Sequence, residues 1–230
     1  MAHHGRLRRY AAIVRHVVLF AIFLFWGAGT THWRRGWILL AALLVARVVC
    51  SEAVARVNAD LLAEREKLPL QRGQPLVDRA LVLGVMASLA GLVAASAADV
   101  WRWRLLPQPD RPLAAIGMAL FVAGWWLITL ALRTNAFAVT VVRHQPERGH
   151  AVVDYGPYRR VRHPMYAGLV LEMLGIPLWL GSTAGMLMAT VPIALLFTRI
   201  LVEERLLARS LPDYDAYRDR VRSRIIPGIW

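Results

Sequence analysis

The chain reads as an all-α, polytopic integral-membrane bundle. It ends in a helical hairpin and an amphipathic C-terminal tail that together form a site at the cytoplasmic boundary. Three observations predict this. Hydrophobic residues make up 57% of the 230 residues and charged ones only 19%, below the roughly 25% usual in soluble proteins. The apolar residues gather into blocks close to the ~20 residues that span a bilayer. The arginines fall between those blocks, as cations do in membrane proteins.

The first block, residues 10–29, follows Arg6, Arg8 and Arg9 and in that respect looks like a signal peptide. It is read as a span because it is long, contains Arg15 and His16, and is succeeded by further blocks. Those blocks cover residues 37–55, 81–98 and 113–132. The run from Asp60 to Lys67 reads as a charged helical continuation of the second span, and Asp78 with Arg79 as a cap on the third. Trp101 and Trp103 read as interfacial anchors. Residues 166–180 and 184–202 are joined by the tight turn Leu180-Gly-Ser-Thr-Ala-Gly185 and read as a hairpin. Pro177 and Pro192 predict kinks, because neighbouring membrane helices can satisfy the freed carbonyls. Arg15 and Arg47 fall within spans, close enough to an interface or to Glu52 to snorkel or pair.

The formal net charge is +13, and Lys67 is the single lysine among 28 basic residues. Their placement between apolar blocks points to lipid headgroups and away from nucleic acid. Six passes put 21 of them, Arg72 included, on the side of the N-terminus and five on the other. Both termini are therefore expected in the cytoplasm, and a bacterial inner membrane is the expected location. Cys50 is the only cysteine, so an intrachain disulfide and a cysteine-based metal site are both excluded.

Polar density concentrates before the fifth block. Arg159, Arg160, Arg162 and His163, with His150 upstream, accompany Tyr155, Tyr158 and Tyr166. Pro164 suits a first helical turn and pushes His163 towards extended backbone. Free backbone N–H groups at that helix start are expected to meet a carboxylate or phosphate. Gly168 and Gly175 leave room for a neighbouring helix or a flat ligand. Far downstream, Arg199 and Glu203 are four apart and share a helix face, with Glu204 a quarter-turn away. The hairpin returns them to the membrane face of Arg162. In the tail, Tyr214, Tyr217 and Val221 recur at helical spacing, and Ile225, Ile226 and Trp230 turn back to the membrane surface. An interfacial amphipathic helix that lids a site fits this pattern.

The combination Gly156-Pro-Tyr158, Val161-Arg-His-Pro-Met-Tyr166 with Gly168, then Glu203-Glu204 with Leu207, then Tyr214, Tyr217, Val221 and Pro227 resembles the isoprenylcysteine carboxyl methyltransferase family. It is also similar to the wider group of membrane methyltransferases that includes phospholipid N-methyltransferases. The resemblance covers residues 135–230. It implies a division into N-terminal transmembrane helices, 1–132, and a cofactor-binding region, 133–230. It implies S-adenosyl-L-methionine held on the cytoplasmic side by the last membrane helices and the tail. On the matching positions, the cofactor would be contacted by His150, Ala151, Val152 and Val153, by Tyr158, by His163, Pro164, Met165 and Tyr166, and by Glu203 and Glu204. Arg162 and Arg199 match arginines associated with the methyl acceptor. The arginine-rich tail after Tyr217 departs from the eukaryotic enzymes of the family.

In-line methyl transfer asks mainly for alignment of donor and acceptor, worth roughly 7–11 kcal/mol. A carboxylate acceptor needs a cation to place it. An amine or thiol must lose a proton, and no clear buried base stands beside the arginines, although His163 could serve. The pattern leans towards an anionic acceptor, as in isoprenylcysteine carboxyl O-methylation, or a lipid whose phosphate the arginines grip. The acceptor is expected to be lipophilic or membrane-associated. Prenylated cysteine, another lipid acid, a phospholipid amine and a small thiol all remain open. Rival readings are a sterol-type membrane reductase using NADPH and a non-catalytic membrane protein.

Overall fold

The structure, a computed structural model, describes residues 2–67, 70–71 and 74–230, with the side chains of residues 2–5 and 111 left aside. Arg72 lies outside the described residues. The elements are α1 (Ala2–Ala28), α2 (Arg34–Ala55), α3 (Ala59–Arg65), α4 (Leu76–Ala98), α5 (Arg111–Thr134), α6 (Pro164–Leu180), α7 (Thr183–Met188), α8 (Thr190–Ser210) and α9 (Tyr214–Arg220). Among the described residues there is no strand, as the composition predicted.

Among the described residues, five helical segments are long and apolar enough to cross a membrane: Arg6–Ala28, Arg34–Ala55, Leu76–Trp103, Pro112–Thr134 and Thr183–Ser210. The sixth expected pass, α6, has 17 residues, about 25 Å at 1.5 Å per residue. Large apolar side chains point outwards, among them Val14 and Ile22 on α1 and Val122 and Trp126 on α5. An aqueous surface would not favour such a face, but hydrocarbon does.

Several elements differ from expectation. The charged run after the second span is a separate helix, α3. The chain turns at Asn58, whose side chain donates to the carbonyls of Leu132 and Arg133 at 2.8 and 2.9 Å. Arg47 does not pair with Glu52. Its guanidinium lies 5.7 Å from the Trp125 ring centroid, and Glu52 accepts from Tyr10 at 3.3 Å and faces Arg9 at 3.7 Å. Pro177 stays inside α6, whereas Pro192 sits in the first turn of α8, just after a break at Ala189.

Helix α6 packs along α5 rather than along its hairpin partner. The cause is glycine at facing positions. A Cβ on Gly124 would lie 2.6 Å from the Gly168 carbonyl oxygen, and one on Gly175 would lie 2.7 Å from that of Gly117. Gly168 and Gly175 therefore admit a helix, not a ligand, which is how small residues drive association in lipid. Helix α8 packs on α4. Gly181 adopts a left-handed φ of 87° and closes α6. Ser182 then caps α7, accepting from the Gly185 N–H at 2.8 Å and donating to Asp99 Oδ2 at 2.7 Å.

Candidate functional site

Residues 135–163 cover the ends of α5, α6 and α8. This segment is organised by Gln145, which is fully buried. Its amide donates to the Phe137 carbonyl at 2.9 Å, its side-chain oxygen accepts from Arg148 at 2.6 Å, and its backbone oxygen accepts from the His150 N–H at 3.3 Å. The His150 ring lies 4.7 Å from the Phe137 ring and 5.6 Å from that of His144. Burial, reinforced by His144 and Arg148, pushes the His150 pKa down to about 4. His150 is neutral near pH 7.

Two ion-paired centres hold the floor. At the first, Glu204 Oε1 accepts from Arg162 Nε at 2.7 Å and lies 3.2 Å from His163 Nε2, while Oε2 accepts from Arg224 Nε at 3.0 Å. Arg162 Nη1 also donates to the carbonyls of Val221 and Arg222 at 2.6 and 2.8 Å. The backbone N–H groups of Arg162 and His163 donate to the carbonyls of Ser223 and Arg224 at 3.0 and 2.8 Å. These two amides lie just before the start of α6. The tail occupies them.

The second centre joins elements far apart in sequence. Arg199 Nε donates to Asp78 Oδ1 at 2.9 Å, and Arg199 Nη2 to the Thr140 carbonyl at 2.5 Å. Asp78 Oδ2 accepts from the Val142 N–H at 2.9 Å and from Gln74 at 2.7 Å. Asp78 is fully buried. It was read as a helix cap, and an acidic residue in a first turn carries no mark in sequence that separates a cap from an interior counterion.

Between the centres stands Tyr166. Its ring stacks on His163 at 5.5 Å, the Arg199 guanidinium lies 5.8 Å from its centroid, and its hydroxyl donates to Glu203 Oε2 at 2.6 Å. The shared face of Arg199 and Glu203 is thus read by one aromatic side chain. The tail closes the other wall. Leu211, Tyr214, Tyr217 and Val221 form one buried cluster, and Tyr217 donates to the Tyr158 carbonyl at 2.9 Å. Burial raises the phenol pKa of Tyr158, Tyr214 and Tyr217 above the ordinary range, so all three stay protonated. Arg65 on α3 donates to the Ala138 carbonyl at 2.6 Å and lies 3.6 Å from Met165 Sδ. Burial lowers its pKa to about 10.

A cleft opens among these groups and narrows to a cavity of about 80 Å³. Of the residues singled out from sequence, His150, Ala151, Val152, Val153, Tyr158, Arg162, His163, Met165, Tyr166, Arg199 and Glu203 line it. Pro164 and Glu204 do not: Pro164 begins α6, and Glu204 lies behind Arg162 and His163. Asn135, Phe137, Val139, Val141 and Arg143 also line the cleft and went unnoticed, because a loop of mixed polar and apolar residues has no period to read. Three lining residues carry a buried polar atom without a hydrogen-bond partner: Arg143 Nε, His150 Nδ1 and the Tyr214 hydroxyl.

The sequence profile of the phospholipid methyltransferase family matches residues 113–213. The matched stretch contains α5 to α8 and all the cleft-lining residues except Tyr214 and Tyr217. The chain is 32% identical over 143 residues to a methanethiol S-methyltransferase 1 of Bradyrhizobium diazoefficiens, an alignment covering 55% of this chain and 48% of that protein. The chain therefore spans about half the length of the curated relative it matches.

Proposed function

We propose that this chain is a membrane methyltransferase of the phospholipid methyltransferase family and that it uses S-adenosyl-L-methionine to methylate a small thiol that partitions into the membrane. The observation that carries the choice of acceptor is the pairing of both arginines. Arg162 is answered by Glu204 and Arg199 by Asp78. A carboxylate acceptor, suggested by the isoprenylcysteine resemblance, needs an uncommitted cation to place it, and neither arginine is uncommitted. A small neutral thiol needs none. The relative named for methanethiol supports the same choice.

The cleft fits the donor chemically. Val139, Val141, Val152 and Val153 offer an apolar wall, and His150 Nδ1 and the Tyr214 hydroxyl offer unpaired polar atoms. Glu203 keeps Oε1 without a donor among the described residues, ready for a hydroxyl or ammonium. A cavity of about 80 Å³ is far below the roughly 300–1,000 Å³ of ordinary ligand sites. Binding therefore parts the cleft between residues 135–153 and α9, which touch largely through side chains.

S-adenosyl-L-methionine supplies, when bound, a methyl group on a cationic sulfur. The protein's part is to orient, dry and deprotonate the acceptor. With Nε2–H directed at Glu204, His163 carries its lone pair on Nδ1, where it can take the thiol proton. Arg162 and Arg224 hold Glu204 ionised and fixed behind the imidazole, in the manner of an orienting carboxylate. Glu203, His150 and Tyr214 would hold the donor, which would supply its methyl group to the thiolate, while the thiol proton stays on His163 Nδ1 and the neutral thioether product would leave into the lipid. The active face is cytoplasmic and the membrane a bacterial inner one, in keeping with the asymmetry of the arginines.

Calorimetric titration with S-adenosylhomocysteine tests the donor half. Binding to the wild type and at least tenfold weaker binding to Glu203→Gln are expected. Equal affinities would remove Glu203 from the pocket, and no binding to the wild type would overturn the assignment of the cleft.

A further inference from the structure

A second cleft lies outside the family-matched stretch, between the first turns of α1 and the corner of α2 and α3. It is larger than the first, about 790 Å³. Its rim carries Arg6, Arg8, Arg9, Arg15 and Lys67 against one acid, Glu66. Lys67 is partly neutralised by Glu64 at 2.6 Å, and Arg9 faces Glu52 at 3.7 Å. Arg6, Arg8 and Arg15 make no ion pair among the described residues. Arg9 Nη1 is buried with no hydrogen-bond partner. The walls are mainly alanine, including Ala11, Ala12, Ala55 and Ala59, and this is what keeps the space open.

Position identifies the occupant. The spanning part of α1 begins at Arg6, and Arg15 lies about 13 Å further along the helix axis at 1.5 Å per residue. The cations thus extend from the boundary into the upper hydrocarbon, from which the long Arg15 side chain can snorkel back to the headgroups. From the level of Arg15 downwards α1 presents Val14, Val18 and Ile22, each about half exposed, an apolar track into the hydrocarbon. A group held here meets positive charge at one end and acyl-compatible surface at the other. We infer that this cleft is a binding site for an anionic phospholipid, with the phosphate among Arg6, Arg8, Arg9 and Arg15 and an acyl chain along α1. The site abuts the methyltransferase cleft through α3. Ala59, Leu62 and Ala63 form its wall, while Glu64 pairs with Arg143 at 3.2 Å and Arg65 reaches Met165 on the other side.

The test uses the purified full-length chain in detergent and native mass spectrometry with phosphatidylglycerol, phosphatidylcholine or inorganic phosphate. Saturable retention of phosphatidylglycerol over phosphatidylcholine is expected. Arg6→Gln/Arg8→Gln/Arg15→Gln should weaken it roughly 100-fold, since each surface cation contributes about fivefold. Ala63→Phe, which fills the cleft without altering charge, should weaken it too and guards against misfolding of the triple variant. A control with three exposed arginines neutralised elsewhere, Arg160→Gln/Arg205→Gln/Arg209→Gln, should retain the lipid. Equal loss in the control would overturn the site in favour of net-charge attraction. Unchanged retention in both cleft variants would also overturn it, as would competition by inorganic phosphate as effective as by the lipid. None of these outcomes depends on methyl transfer.

Discussion

Asp78→Asn is the perturbation with the sharpest expected consequence. Asp78 is fully buried and its two oxygens receive three hydrogen bonds, from Arg199, Val142 and Gln74. The substitution keeps shape and one acceptor but leaves the Arg199 guanidinium without its counterion in a buried setting. Breaking one side of a buried pair costs about 3–5 kcal/mol, whereas losing a neutral hydrogen bond costs only about 1 kcal/mol. For a chain of this size that corresponds to a fall of about 6–20 °C in melting temperature. The assay is thermal unfolding in detergent, followed by circular dichroism. Arg199→Gln in the same background should recover most of the loss, because a neutral pair can share the remaining hydrogen bonds. A fall equivalent to less than about 1 kcal/mol, or strictly additive effects in the double variant, would refute the claim that this pair anchors residues 140–142 to α4 and α8.

Other outcomes follow from the same geometry. His163→Gln should retain S-adenosylhomocysteine affinity while kcat falls about 100-fold or more, within the range of general-base contributions; steady-state kinetics beside calorimetry separates the two. Gly168→Ala should destabilise strongly, since its Cβ would come within 2.7 Å of the Gly124 carbonyl oxygen; thermal unfolding checks this, and a wild-type midpoint would contradict the glycine contact. The depressed pKa of His150, about 4 against an ordinary 6.5, means that the unfolded chain binds more protons between those values. Stability is full above pH 6.5, falls as pH drops towards 4, and falls less steeply in His150→Asn; melting temperatures across that window test the sign. Saturation with S-adenosylhomocysteine should slow amide exchange in residues 135–153 and 211–221 and leave α1 unaffected.

The spans were legible because lipid permits few solutions: apolar length and arginine placement recovered α1, α2, α4, α5 and α8. The motif from Tyr158 to Tyr166 and the pair Arg199 and Glu203 were legible as one site because a membrane hairpin returns both to the same face. Other features needed coordinates. The α5–α6 contact depends on which residues Gly124 and Gly168 face, and a glycine offers helix and ligand alike. Asp78 could be read as a cap or as a counterion. The bonds from the Arg162 and His163 amides were not foreseen because the carbonyls that accept them, in Ser223 and Arg224, belong to a tail whose backbone leaves no trace in its side chains. That tail also explains why Arg162 is committed: three elements of its surroundings, Glu204, Val221 and Arg222, converge on one guanidinium.

The most direct measurement supplies the purified protein with S-adenosyl-L-methionine labelled in its methyl group and with methanethiol, then follows the label. The account predicts label in the volatile dimethyl thioether, formed about 100-fold or more slowly when His163→Gln replaces the wild type. Transfer to a fatty or prenyl carboxylate in place of the thiol, or label that stays with the donor under every condition, would contradict it.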